Sequence, residues 1–285
     1  MQHSSSLILS RRRVLSGVLA CGSGWLRAGD DDASPVRILF FGNSYLANHG
    51  VPAIVGEMLL STRLFSPHIA SYLQSGYRLD QHAADATGLK LLKDGADDGK
   101  PWDVLVVQEQ STLSAQAGAE IQAQQTMSEA LTQLATHALA VNPRMLIVVF
   151  QVWPRRPNLW DQGDKAALST GPNAAAAQAR IHRANAQAVR DVLTKYPDAA
   201  ILVSPVGDFW CLAQDIYPAL PFYDKDGTHP DMLGSILAAL VLTGSIVGRE
   251  AVEKSTWIGD CPFSQVERIK KTLLDHPEIF KAAGQ

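Results

Sequence analysis

Cysteine is nearly absent from this chain: three in 285 residues, at Cys21, Cys211 and Cys261. So few exclude a disulfide-stapled scaffold and a paired Cys-x-x-Cys metal or redox centre. Cys211 and Cys261 either pair in an oxidising compartment or stand as two separate buried thiols. Long apolar runs are also missing. The stretches at 14–20 and 236–247 fall short of the roughly 20 residues that a bilayer crossing needs, so no membrane span is expected. Nor does charge of one sign dominate: 25 Lys and Arg against 28 Asp and Glu leave a net −3. That balance gives no broad attraction to nucleic acid, which is excluded as a partner. There is no His-Glu-x-x-His, no phosphate-cradling loop ending in Lys-Ser or Lys-Thr, and no dinucleotide Gly-x-Gly-x-x-Gly after the first apolar run. The Gly-x-Ser-x-Gly elbow is absent as well. No metal and no organic cofactor are expected.

What is present begins at the N-terminus. Ser10-Arg11-Arg12-Arg13-Val14-Leu15 is similar to a twin-arginine export signal, followed by a short apolar segment. Val18-Leu19-Ala20-Cys21 loosely resembles a lipoprotein cleavage box, which makes Cys21 a candidate lipid anchor. An exported protein of the periplasm or cell envelope is therefore expected. Residues 1–33 form the signal and an acidic linker, and residues 34–285 a single domain.

Short β-rich apolar runs recur at 36–41, 67–74, 102–107, 145–152 and 200–206. Between them lie helical stretches at 52–63, 79–93, 115–140 and 173–195, the last two rich in Ala, Gln, Leu and Arg. The segment 236–247 reads as a buried helix. Strands alternating with helices predict an α/β fold: a five-stranded parallel sheet, flavodoxin-like, covered on both faces in three layers. Functional loops then lie beyond the carboxyl ends of the strands.

Two of those loops carry candidate chemistry. The first strand runs into Gly42-Asn43-Ser44-Tyr45, which exposes a serine at the functional edge beside backbone N–H groups able to hold an oxyanion. By itself this is also ordinary turn chemistry. Far along the chain stands Asp224-Lys225-Asp226-Gly227-Thr228-His229-Pro230. An Asp and a His three residues apart can share a hydrogen bond that fixes the imidazole tautomer and frees the other nitrogen as a base. A tight loop entering a helix explains the same residues equally well.

Together, Gly-x-Ser after the first strand and Asp-x-x-His-Pro after the last resemble the first and last blocks of the SGNH (GDSL-type) hydrolases, over residues 36 to about 245. The resemblance implies Ser44 as nucleophile, His229 as general base and then acid, and Asp226 as its orienter, with Asp224 in reserve. It also implies an oxyanion hole formed by Ser44 and by Gly76, in Gln74-Ser75-Gly76-Tyr77. The family's Gly-x-Asn block after the third strand is replaced here by Gln108-Glu109-Gln110-Ser111. Gln108 is the expected side-chain donor, with Gln110 second. Asn43 stands where the common signature has Asp.

Gln110 and Trp153 are candidate substrate contacts. Arg155 and Arg156 follow Trp153 at the functional edge, and His49 lies just beyond Ser44. Phe222 and Tyr223 are expected to pack the His229 loop. The implied activity is a serine esterase that removes an acyl group, acetyl in the first instance, from a small-molecule or glycan ester. A non-catalytic binding protein on the same fold and an O-acyltransferase are the alternatives.

Overall fold

The apolar run at 36–41 lies within β1 (Ser34–Gly42), whose buried residues alternate between two faces. Val36, Ile38 and Phe40 enter one hydrophobic cluster, and Leu39 and Phe41 the other. This period of two is what a strand covered on both sides requires. The protein is described here by a computed structural model covering residues 33–281. The arginine-rich signal and Cys21 lie outside the described residues, so the export and lipid-anchor expectations fall there too.

After β1 come α1 (Ser44–Ala47) and α2 (Val51–Ser61), then β2 (Phe65–Leu73), α3 (Leu79–Ala84) and α4 (Ala86–Asp94). β3 (Val104–Gln108) leads to α5 (Ser111–Ala117) and α6 (Ile121–Val141). β4 (Leu146–Phe150) is followed by α7 (Asn158–Asp161), α8 (Lys165–Thr170) and α9 (Ala174–Lys195). β5 (Ile201–Ser204) leads to α10 (Val206–Ile216), and α11 (Met232–Val247), α12 (Arg249–Lys254), α13 (Phe263–Asp275) and α14 (Glu278–Lys281) complete the described chain.

The five strands pair in parallel in the order β2-β1-β3-β4-β5, with Ile38 beside Val104 and Val107 beside Val149. This is the expected flavodoxin-like sheet. α2, α10, α11 and α13 bury Met58, Phe209, Leu237 and Ile269 against one face; α6 and α9 bury Leu131 and Ala188 against the other. The order reverses between β1 and β3, whose outgoing helices α2 and α6 leave on opposite faces. A crevice opens at such a point, beyond the carboxyl ends of the two strands. Ser44 and the segment 108–111 both fall there. α11 is buried over most of its length, as its apolar composition implies, and no described helix is long and apolar enough to cross a membrane.

Helix boundaries differ from the sequence pattern in two places. The stretch expected as one helix at 79–93 is split at Asp85, whose side chain accepts from the N–H groups of Thr87 (2.8 Å) and Gly88 (3.3 Å) and so caps α4. The stretch expected at 115–140 is split after Ala117. A Cβ at Gly118 would sit 2.0 Å from the carbonyl oxygen of Arg180, so this turn passes against α9 closely enough to demand glycine. Cys211 and Cys261 are free thiols, which answers the pairing question. Burial pushes the Cys211 thiol up to about 12 and raises Cys261 as well, leaving both poor nucleophiles.

Gly118→Ala forces the turn away from α9. Urea denaturation is expected to show a loss of about 1–3 kcal/mol, and an unchanged midpoint would contradict the close approach.

Candidate active site

Ser44 owes its position to a buried pair of amides. Gly42 ends β1 with no room for a side chain: a Cβ there would lie 2.7 Å from Leu46 Cδ1 and 2.8 Å from Gln108 Oε1. Asn43 caps α1, its Oδ1 accepting from the Tyr45 N–H at 3.2 Å. The Asn43 N–H donates to Gln108 Oε1 (3.1 Å), while Gln108 Nε2 donates back to Asn43 Oδ1 (3.0 Å). Asn43 Nδ2 reaches the Tyr77 carbonyl at 2.9 Å, tying in the loop that carries Gly76. Ser44 then falls on the first residue of α1, at the positive end of that short turn of helix.

The imidazole beside Ser44 arrives from the other end of the chain. An isolated bridge between Tyr223 and Pro230 closes the loop, and Gly227 supplies the left-handed residue at φ +69°. Asp226 Oδ1 accepts from the backbone N–H groups of Thr228 (2.8 Å) and His229 (3.0 Å). Its Oδ2 lies 2.5 Å from His229 Nδ1, and His229 Nε2 lies 2.8 Å from Ser44 Oγ. Partial burial alone would raise the Asp226 carboxyl. The His229 side-chain hydrogen bond and the two N–H groups outweigh it and hold Asp226 below its ordinary value. An ionised carboxylate only accepts, so Nδ1 carries the proton and Nε2 faces the serine hydroxyl as an acceptor.

Several side chains hold this loop. Tyr45 Oη meets Thr228 Oγ1 at 2.6 Å, and its ring centroid lies 5.4 Å from that of His229. Trp153 Nε1 donates to the Thr228 carbonyl (3.1 Å), with its indole stacked 4.0 Å from Trp210. Arg156 Nη2 donates to the carbonyls of Tyr223 (3.1 Å) and Asp224 (2.9 Å), and its N–H to that of Gly227 (2.8 Å). Phe222 and Tyr223 are buried beneath, as expected.

This architecture has solved counterparts. A candidate SGNH hydrolase from Slackia heliotrinireducens matches with a TM-score of 0.53 and 24% identity, over 74% of this chain and 98% of that one. The lipase Lip_vut3 from a goat rumen metagenome matches at TM-score 0.51 and 10% identity, over 75% and 99%. A candidate GDSL-like lipase from Parabacteroides merdae matches at TM-score 0.50 and 17% identity, over 78% and 99%. The chain has the SGNH hydrolase fold. No protein-family model and no curated protein matches the sequence. Within the SGNH fold, the serine sits at the tip of β1 and the imidazole comes from the segment before α11.

Three expectations from the sequence change, for Gln108, Gln110 and Trp153, and the reserve residue Asp224 is not needed. Gln108 is fully buried, and both its amide hydrogens are committed, to Asn43 Oδ1 and to the Glu109 carbonyl (2.8 Å). It is a clasp beneath the serine, with no N–H left for an oxyanion. Gln110 is the residue of that block with a donor to offer: its Oε1 accepts from the Leu113 N–H (2.8 Å), while its Nε2 makes no hydrogen bond among the described residues. Trp153 is buried and hydrogen-bonded to the His229 loop, which it supports from below. Asp224 accepts from the Lys225 N–H and closes the loop through its own N–H to the His229 carbonyl, leaving the imidazole to Asp226. Gly76 lies in an exposed turn at φ +71°, and neither its N–H nor that of Ser44 has a hydrogen-bond partner among the described residues. His49 lies 3.9 Å from Asp231, at the entrance to α2.

The bracing role of Tyr45 and the structural task of Asn43 carry no signal in the sequence, and Arg156, noted only for its place at the functional edge, proves to hold the His229 loop. Each acts through a backbone carbonyl or a partner distant along the chain. Only the departure of Asn43 from the common Asp marks the position.

Asn43→Ala would leave one amide hydrogen of Gln108 without its acceptor in the core and release the Tyr77 loop. Chemical denaturation is expected to show a loss of about 1–3 kcal/mol, accompanied by a fall in turnover. Wild-type stability in this variant would remove the clasp from the account.

Proposed function

We propose that this chain is a serine esterase in which Ser44, His229 and Asp226 carry acyl transfer. The observation that carries this reading is the continuous relay of 2.8 Å and 2.5 Å contacts from hydroxyl through imidazole to carboxylate. A serine hydroxyl is a weak nucleophile until a base removes its proton. His229 Nε2 takes that proton as Oγ attacks the ester carbonyl, and Asp226 stabilises the imidazolium that forms. The N–H groups of Ser44 and Gly76 and the Gln110 amide are assigned to the developing oxyanion. His229 then returns the proton to the departing alcohol, and water repeats the sequence on the acyl-serine to release the acid.

The substrate is read as an ester with a short acyl group, acetyl in the first instance, on a small polar molecule or a carbohydrate. In support, Asp226 is 44% exposed and His229 29%. A base system so open to solvent admits an ester held on a larger polar group, and gives water ready access for deacylation.

Covalent labelling of the purified chain by a fluorophosphonate tests the nucleophile. Label is expected on Ser44 and absent from Ser44→Ala, with turnover down about 10⁴-fold or more. Gln110→Ala is expected to lose about 10²–10³-fold in turnover and to leave the labelled serine intact. Full esterase activity in purified Ser44→Ala would end the reading. A panel of p-nitrophenyl esters tests the acyl group: acetate should turn over fastest, and preference for long chains would overturn the acetyl assignment.

A further inference from the structure

Glu109 is a buried ionisable group that the reaction above leaves unused. Its residue is 2% exposed, at the crevice between β1 and β3. Oε1 accepts two backbone N–H groups, from Leu79 at 3.2 Å and from Gln110 at 2.6 Å. Oε2 is buried with no hydrogen-bond partner among the described residues. Leu79 opens α3 immediately after the loop that carries Gly76, and Gln110 caps α5. One carboxyl oxygen therefore joins the two segments that bring donors other than Ser44 to the proposed oxyanion hole.

We infer that Glu109 is a positioning residue for the oxyanion hole, its carboxyl bridging the Gly76 loop and Gln110 so that their donors converge on one site. The inference rests on the serine-esterase reading. The bridge needs only an acceptor, which Oε1 provides in either protonation state. A proton on Oε2 removes the charge, and a neutral group is the suitable one here. A full negative charge beside the hole would oppose the oxyanion that its donors are arranged to hold.

The surroundings keep it neutral. Burial pushes the carboxyl up to about 8, against the two N–H bonds that lower it. Asp80 raises it further, and Arg78, which is paired with Asp80, lowers it. On α3, His82 is itself held below its ordinary value by burial, with Nε2 placed 3.0 Å from the Gly42 carbonyl. α5 brings no ionisable side chain.

The sign of the pH effect follows. Between the ordinary carboxyl value of 4.5 and the folded value of about 8, the unfolded chain has lost this proton and the folded chain retains it. Stability relative to a non-ionising variant therefore falls as pH rises through that interval. Above it, the charge appears within the folded site.

The test compares wild type, Glu109→Gln and Glu109→Ala as full chains, by the pH dependence of p-nitrophenyl acetate turnover and of fluorophosphonate labelling at Ser44. Wild-type kcat is expected to fall about tenfold as pH rises through the Glu109 titration. Glu109→Gln keeps the bridging oxygen, cannot ionise, and should lack that fall. Glu109→Ala should lose about tenfold or more in kcat at neutral pH with KM little changed, and Glu109→Gln should recover most of this loss. The denaturation midpoint of Glu109→Gln should rise relative to wild type between pH 5 and 8. An alkaline fall persisting in Glu109→Gln would overturn the inference, as would wild-type kcat in Glu109→Ala. If Glu109→Ala fails to fold, the wild-type and Glu109→Gln profiles decide alone. Absence of label on Ser44 at every pH would instead bring down the esterase reading, and the inference with it.

Discussion

The paired amides of Asn43 and Gln108 are the interaction on which the site depends. They join the tip of β1 to the tip of β3, the two strands at which the order of the sheet reverses. Both side chains are almost fully buried, and an unmet amide at that depth would be costly. Each therefore holds the other in one orientation, and Ser44 inherits that orientation as the next residue. A third bond from Asn43, to the Tyr77 carbonyl, extends the constraint to the loop after β2. Aspartate at this position could still accept from Gln108 but could not donate to the Tyr77 carbonyl, so the bond to the loop after β2 is the one that requires asparagine.

The second constraint acts on the far side of the hydroxyl. His229 must meet Ser44 across a sequence separation of 185 residues. Little in the loop's own composition would keep it there. Tyr45 and Trp153 hold Thr228, and Arg156 holds three carbonyls between Tyr223 and Gly227. Behind them, Trp153, Trp210 and Tyr223 form a packed aromatic layer that belongs to the core beneath α11. Much of this support is directed at main-chain atoms. The position of the imidazole is thus fixed by packing and backbone hydrogen bonds, while its tautomer is fixed by one carboxylate.

Glu109 fits the same pattern at a third place. The polar groups nearest the sheet tip act as braces between loops, and those further out are left with open valences: the N–H groups of Ser44 and Gly76, and the amide of Gln110. Adjacent glutamines consequently have opposite tasks. Gln108 ends the strand and points into the amide pair; Gln110 begins the next helix and needs only its oxygen for the cap.

Strand alternation, the apolar runs and the spacing of Gly-x-Ser and Asp-x-x-His were legible in the sequence, because they arise from local chemistry: a period of two, a glycine at a turn, a carboxylate within reach of an imidazole three residues on. The sheet and its parallel pairing follow from those signals, whereas Ser44, Asp226 and His229 are singled out by the resemblance of the two motifs together to the SGNH hydrolases. Tertiary structure decided what a side chain does when its partner is distant. Gln108 and Gln110 carry the same amide two residues apart, and only burial against Asn43 or freedom at a helix cap distinguishes them. Trp153 looks like a surface stacking residue until Trp210 covers it. Nothing in the sequence distinguishes Glu109; the fold closes over it and brings two backbone N–H groups to a single oxygen.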